Sequence, residues 1–486
     1  MGSHSDDLIP LDACAGLDPA DIGRKASVLA WAAAQGLPTP GGVVLPASTF
    51  WAALEACGTR KQAHYLAASA MRLDPLHSMN LAAGIHAALG LSAAADLARV
   101  YAESAFSGLS ARPLVARSSS ALEDGRTAAF AGVFLSRLDL TSVDELADAI
   151  VACWRSAFSP MALQYLLRMR AEPIDFSLAV LIQPQVQADW YGLYVGADPV
   201  SGAPTPVAEL TRLGPDALVN GSAATVRARQ VGSGWSVEPD EPAIATALAG
   251  ISALAARLSA RVPGDLDIEF ALGLGNADPV LLQCRPITPV RRPKASMSET
   301  IRHPVVAGRP CAPGSAVGLV VLPDQPAHSE SPRIAVVERL TTNDYDLVFR
   351  HHGIIAINEV SPLSHVAILC RELGVPLVGG AGPGARALAG SWVLLDGSSG
   401  VAELLPAAVE AEVDARLQEA VLYVADVERV LLSLVGRRHV SAGATAWSLE
   451  QALARELGAK EARILAVGLA PAEAQQLAAM QSAPRS

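Results

Sequence analysis

The stretch richest in chemistry is NEVSPLSHVAILCRELGVPLVGG, residues 358–380, where a single histidine, His365, follows an apolar run and a turn of small residues. Ser361 reads as a helix N-cap and Pro362 as the first helical position, so the spacing predicts His365 in the first turn of a helix. Free backbone N–H groups and the positive end of the helix dipole meet there, and both would stabilise a phosphoryl group carried on the imidazole. Neutral imidazole is also a competent nucleophile near pH 7. The competing reading is a histidine that only caps or packs against the helix start.

The whole run resembles the signature of the phosphoenolpyruvate-utilising mobile domain of pyruvate phosphate dikinase, phosphoenolpyruvate synthase and rifampin phosphotransferase, G-G-x-T-S-H-x-A-I-x-A-R-E-L-G-I-P. Ser364, His365, Ala367, Ile368, Arg371, Glu372, Leu373, Gly374 and Pro376 match in place. Val360 and Ser361 stand where that pattern has a glycine pair, and Leu363 replaces its threonine, which removes a hydroxyl open to regulatory phosphorylation.

Further segments resemble the ATP-binding domain of the same family, in the family's order. DIGRKAS at 21–27, followed by GLPTPGGVVLPASTF, is similar to the opening G-G-K-x-A-S-L and its turn, which makes Lys25 a cation for nucleotide phosphates, against the alternative of a solvated lysine. VARSSSALEDGRTAAFAG at 115–132 resembles V-R-S-S-A-x-x-E-D-x-x-x-x-S-F-A-G; Arg117 would clamp phosphate oxygens through its planar fork, against a purely structural ion pair, and Leu135 stands where an acidic residue is usual. LIQPQVQADWYGLYVGADPVSG supplies Gln183 at the adenine strand. Glu209 with RLGPDALVNG is similar to E-x-x-x-G-L-G-E-x-V-x-G, with Pro215 and Asp216 replacing its second half. DLDIEFALG and PVLLQCRPIT resemble the closing D-I-E-W-A and L-Q-x-R-P-x-T, which implies Mg²⁺ on Glu269 and Gln283 and a further phosphate contact from Arg285. Taken singly, a glutamate and a glutamine on strands are edge residues as readily as ligands.

The resemblance implies ATP and Mg²⁺ bound by Lys25, Arg117, Gln183, Glu209, Arg285, Glu269 and Gln283, with His365, Arg117 and Lys25 as the catalytic set. His365 would take the β-phosphoryl group, leaving AMP and phosphate, and pass it to a small-molecule acceptor. The best-known members place that acceptor in a large α/β barrel, and residues 406–486 are too few for a barrel of about 250 residues. The acceptor would then be held by the C-terminal region or by a partner subunit. The alternatives are an ATP-grasp ligase that activates a carboxylate, and a non-catalytic nucleotide-binding subunit.

The elements that must position these residues follow from pattern. Residues 1–110 read as a mostly helical cap, with amphipathic stretches at Ala26–Gln35, Ala47–Cys57 and Ser92–Phe106. Residues 111–290 alternate β-branched runs with helices, the last helix at Ala243–Arg261, and form the sheet domain. The basic, proline-containing stretch within 291–300 is a linker. Residues 301–405 carry strand runs GSAVGLVVL, RIAVVER, GIIAINE, VPLVGG and SWVLLDGS, with helices at Thr342–Arg350 and His365–Leu373. Residues 406–486 read as a mostly helical appendage. The expected fold is therefore α/β and multidomain: an ATP-grasp-type nucleotide-binding domain, a small swivelling phosphohistidine α/β domain and a helical C-terminal segment.

Composition agrees. A chain of 486 residues exceeds one hydrophobic core, and 51% hydrophobic with 17% charged residues suits packed domains. A net charge of −11 with no basic block disfavours nucleic acid, yet a few local cations with a metal ion can hold a nucleotide. The six cysteines show no disulfide-like spacing, no stretch approaches a membrane span, and MGSHSDDLIP lacks a signal-peptide pattern, so a cytoplasmic protein is expected.

Overall fold

A computed structural model describes residues 7–70, 75–109, 113–123, 130, 132–169, 175–219, 226–273, 278–287, 304–323 and 332–405. The chain divides into two units, Met1–Leu404 and Leu405–Ser486. The linker and the C-terminal appendage expected from the sequence lie outside the described residues.

Among the described residues, three sheets organise the first unit. The five-stranded sheet consists of β1 (Ile9–Pro10), β2 (Val43–Leu45), β3 (Leu114–Ser120), β4 (Ser136–Leu140) and β5 (Leu178–Pro184), in the antiparallel order β1-β2-β5-β3-β4. β5, LAVLIQP, is buried along almost its whole length, as expected of a central strand covered on both faces. Helices α1 (Pro19–Ala34), α2 (Ala47–Ala56), α3 (Arg60–Ser69), α4 (Pro75–Ala88), α5 (Ser92–Gly108), α6 (Val143–Ser156) and α7 (Pro160–Met169) surround it. Local signals set their ends: Asp18 caps α1 just before Pro19, and Ser142 with Glu145 makes a reciprocal capping box on α6. The stretch expected to be a helical cap thus also contributes β1 and β2, whose runs of two and three residues are too short to show a period.

The six-stranded sheet, β6 (Trp190–Val195), β7 (Val207–Thr211), β8 (Val226–Val231), β9 (Gly234–Glu238), β10 (Leu266–Leu272) and β11 (Val280–Pro286), runs in the antiparallel order β11-β10-β6-β7-β8-β9. A short helix α8 (Pro215–Val219) and the long α9 (Pro242–Leu258) accompany it. One core joins α1, α9 and this sheet through Leu29, Leu248, Ile251, Ile268 and Phe270.

The eight-stranded sheet, β12 (Pro304–Ala307), β13 (Arg309–Ala312), β14 (Ser315–Val321), β15 (Arg333–Val337), β16 (Gly353–Ala356), β17 (Leu377–Gly379), β18 (Trp392–Asp396) and β19 (Val401–Leu404), is ordered β12-β19-β18-β14-β15-β16-β17-β13. Its β14-β15-β16-β17 centre is parallel and its flanks are antiparallel. Helices α10 (Tyr345–Arg350) and α11 (His365–Leu373) complete this layer. The five strands and two helices expected here from the sequence all occur; β12, β13 and β19, four residues each, join them. A second core cluster is continuous from α2–α7 into this layer, through Tyr165, Tyr345, Val366 and Leu369.

The packing of α1 on β3 depends on Gly23. Its φ of +75° kinks the helix, and a Cβ there would run into the backbone and hydroxyl of Ser119. Gly23→Ala should therefore destabilise the protein by roughly 2–5 kcal/mol, left-handed strain and overpacking together. A fall in the urea midpoint of the first unfolding transition would show it, and an unchanged midpoint would refute this account of the kink.

Candidate functional site

Three cations meet where the five- and six-stranded sheets face each other, each held by an acidic neighbour. Lys25, on α1 beyond the Gly23 kink and only 6% exposed, donates to the Ser118 carbonyl at 2.8 Å and pairs with Glu123 at 3.4 Å. Arg117, on β3, donates to the Leu282 carbonyl and the Gln283 side-chain oxygen, both at 2.6 Å, and to the Glu269 carboxylate at 3.2 Å. Arg285 grips Asp267 through Nε and Nη2, each at 2.8 Å.

The β10–β11 pair explains this order. Glu269 lies directly opposite Gln283, and Asp267 opposite Arg285. Residues two apart on a strand share a face, so the four side chains line one side of the hairpin. Asp267 escaped the sequence reading, although its place two residues before Glu269 in DLDIEF is the signal that it shares that face.

Lys25, Arg117, Gln183, Glu269, Gln283, Arg285 and His365 all border one cavity of about 430 Å³. Seven of the eight predicted site residues are thereby brought together. Gln183 reaches it from β5 while its amide donates to the Gly41 carbonyl at 2.7 Å, which ties down the PTPGG turn. Glu209 is placed elsewhere: it lines a second cavity, next to Arg227, Arg309 and Leu363.

The donor set suits a hard divalent cation. Glu269 and Gln283 offer adjacent oxygens that already hold one cation, the Arg117 guanidinium, between them. Asp216, on the same cavity wall, has its carboxyl pKa raised, first by burial and then by the Glu269 charge, with Arg117 opposing. Among the described residues no group of three or more His, Cys, Asp or Glu side chains is arranged to hold a metal ion, so the remaining ligands of such an ion would be phosphate oxygens and water.

His365 enters this cavity from the eight-stranded layer. It is the first residue of α11, and the cap is Ser364, whose hydroxyl accepts from Ala367 N at 3.4 Å. Ser361, read from the sequence as the cap, instead closes the preceding turn by accepting from Leu363 N at 2.9 Å, so the helix begins at the histidine itself. The ring is half-buried against Gly132: a Cβ on that glycine, whose φ is +66°, would lie 2.7 Å from His365 Nδ1 and would also strike the Tyr345 hydroxyl. The glycine that ends AAFAG is thus the surface on which the imidazole rests, leaving Nε2 as the nitrogen away from that wall.

Burial, then the Arg285 charge, with Lys25 and Arg117 acting in the same sense and Asp267 opposing, lowers the His365 pKa from 6.5 to about 3. The docked ring is neutral at physiological pH. On the surrounding elements, Tyr165 of α7 donates to Glu372 of α11 at 2.5 Å, and Arg168 donates to the Phe349 carbonyl at 2.9 Å. These bonds add to the apolar contact between the histidine layer and α7.

A basic cleft between two antiparallel sheets, entered by a histidine from a separate α/β layer, defines a nucleotide-binding protein with a docked histidine module. Comparison with known proteins identifies two domains. Residues 20–222 match the family described as pyruvate phosphate dikinase, AMP/ATP-binding domain, and residues 329–400 match the PEP-utilising enzyme, mobile domain. Both are domains of the phosphoenolpyruvate synthase and pyruvate phosphate dikinase type. The chain is similar to a probable phosphoenolpyruvate synthase of Archaeoglobus fulgidus, 26% identical over 321 residues that cover 59% of this chain and 42% of that protein. It is likewise similar to phosphoenolpyruvate synthase of Pyrococcus furiosus, 25% identical over 332 residues, 59% of this chain and 40% of that protein. A shorter match, 35% over 89 residues, links 18% of the chain to 10% of the prodigiosin synthesizing transferase PigC of Serratia marcescens. The chain thus matches well under half the length of the two synthases. Among the described residues no single helix is long and apolar enough to cross a membrane.

The lowered pKa makes a testable statement about docking. An undocked ring with a pKa near 6.5 takes up a proton before the docked ring does, so docking weakens as pH falls below 6.5, and the weakening levels off only near pH 3. NMR of ring-labelled histidine should show no His365 titration between pH 5 and 8 in the wild type. Arg285→Met, which removes the largest charge acting on the ring, should move its titration upward; a wild-type midpoint near 6.5 would mean that the ring is in water.

Proposed function

We propose that this chain is an ATP-dependent, dikinase-type phosphotransferase whose nucleotide domain is of the ATP-grasp kind and whose intermediate is phosphorylated His365. The observation that carries the proposal is that His365 and the cations Lys25, Arg117 and Arg285 share one cavity although they come from two helices and two different sheets. Two relatives that match the chain carry the name phosphoenolpyruvate synthase, which supports the same chemistry.

In this reading the triphosphate lies along the cavity. Lys25 and Arg285 exchange part of their bonding to Glu123 and Asp267 for phosphate oxygens, and Arg117 turns from Glu269 and Gln283 toward the transferred group. Phosphoryl transfer needs placement and charge neutralisation more than covalent help from the protein, and fixed cations in a water-poor cleft supply both. Mg²⁺, held by Glu269 and Gln283, would supply further neutralisation of the phosphates. Nε2 of neutral His365 attacks the β-phosphorus, the bond to the α-phosphate bridging oxygen breaks, and AMP leaves. Water or phosphate takes the γ-phosphoryl group. A protonated imidazole has no lone pair for this attack, so the lowered pKa serves the reaction directly.

The histidine layer then carries the phosphoryl group to a small-molecule acceptor, held by residues beyond 405 or by a partner subunit.

Incubation with β-³²P ATP and Mg²⁺ should give an acid-labile, base-stable label and AMP. His365→Ala should lose the label and bind ATP as tightly as the wild type does. Arg117→Met should reduce labelling by about 10²–10³-fold, the usual loss on removing one charge-stabilising donor. ADP as the sole nucleotide product, or a label that survives in His365→Ala, would overturn the proposal.

A further inference from the structure

Glu209 is a carboxylate buried to 3% exposure in the middle of β7, outside the cavity that His365 enters. Its Oε1 accepts from Arg309 Nη2 at 3.0 Å and lies 3.8 Å from Arg227 Nε; its Oε2 accepts from the Ser361 hydroxyl. Arg227 belongs to the same sheet as Glu209. Arg309, on β13, and Ser361 belong to the histidine layer.

Ser361 is the first residue of the turn that delivers His365. Its carbonyl accepts from Ser364 N at 3.1 Å and from the Ser364 hydroxyl at 2.8 Å, and Ser364 caps α11. Arg371 of α11 closes the same turn from the other side by donating to the Pro362 carbonyl at 2.6 Å. Leu363, inside the turn, packs with Leu193, Val195 and Leu218 of the nucleotide half. A continuous chain of contacts therefore runs from Glu209 to the start of the histidine helix.

A buried carboxylate is tolerable only while its partners stay in place, because its desolvation is large and is offset by those partners alone. Two of the three partners leave if the histidine layer moves away, and Glu209 then regains water. The carboxylate thus favours one position of that layer without holding it irreversibly.

We propose that Glu209 is a positioning residue that docks the histidine layer for loading, acting through Arg309 and Ser361, and makes no contact with the nucleotide. The kinetic part of this inference rests on the phosphohistidine reading; the docking part does not.

The test uses the full chain. Glu209→Gln should leave the affinity for a fluorescent ATP analogue within about twofold of wild type, slow β-³²P labelling of His365 roughly tenfold or more, and increase the radius of gyration in X-ray scattering. Ser361→Ala, which removes a hydroxyl and no charge, should slow labelling in the same direction. In an Arg309→Gln background the Glu209→Gln change should cost far less than in the wild type, a non-additivity that general destabilisation would not produce. Labelling at the wild-type rate, additive losses, or nucleotide affinity falling in step with labelling would overturn the inference. Should the wild type take no label, the phosphohistidine reading fails and scattering alone decides the docking: unchanged dimensions in Glu209→Gln would overturn it.

Discussion

The cleft depends on keeping three positive charges close together without their driving the protein apart. Each cation has a dedicated carboxylate, Glu123 for Lys25, Glu269 for Arg117 and Asp267 for Arg285, and two of those carboxylates stand on one face of β10. Like charges that border one partly dry cavity repel, and local pairing offsets this. In the proposed function the same pairing would hold the cations ready for phosphate, which would compete with Glu123, Glu269 and Asp267 for bonds already formed at the cavity.

The state of the histidine follows from the same charges. Burial alone disfavours imidazolium, and three nearby cations add to that, so the ring at the cleft is neutral without any base to deprotonate it. In the proposed function this would remove the need for a carboxylate partner of the kind that activates nucleophiles in hydrolases. It also ties the protonation state to position: away from the cleft the ring recovers an ordinary pKa.

Much of the site was legible in the sequence because its residues come in short motifs fixed by strand and helix geometry. Gln283 and Arg285 two apart on a strand, or His365 at a helix start, carry their orientation locally. What escaped depends on packing between distant segments. Glu209 belongs to a recognisable motif, yet which cavity it faces is decided by how β7 meets β13, a tertiary fact without a local signal. The cap assigned to Ser361 failed for a similar reason: its hydroxyl is drawn into the turn and toward Glu209, and the next serine takes the helix end. Gly132 was visible as part of AAFAG, but its role as the surface under an imidazole from another sheet was not. Among the strands, β5, β6 and β10 read clearly, and even the short β16 and β17 did, whereas β1, β12 and β13 are short runs that contain proline and gave no strand signal.

Leu363 connects these themes. Where the family pattern has a threonine, this chain has an apolar side chain packed among Leu193, Val195 and Leu218, 5% exposed. A hydroxyl, or a phosphate upon it, would be poorly tolerated in that cluster, because burying an unpaired polar group costs more than the methylenes contribute. The leucine instead adds apolar contact between the turn before His365 and the six-stranded sheet. Glu209 bonds Ser361 of the same turn and supplies polar contact beside that apolar cluster, so the turn is held to the six-stranded sheet by both kinds of interaction.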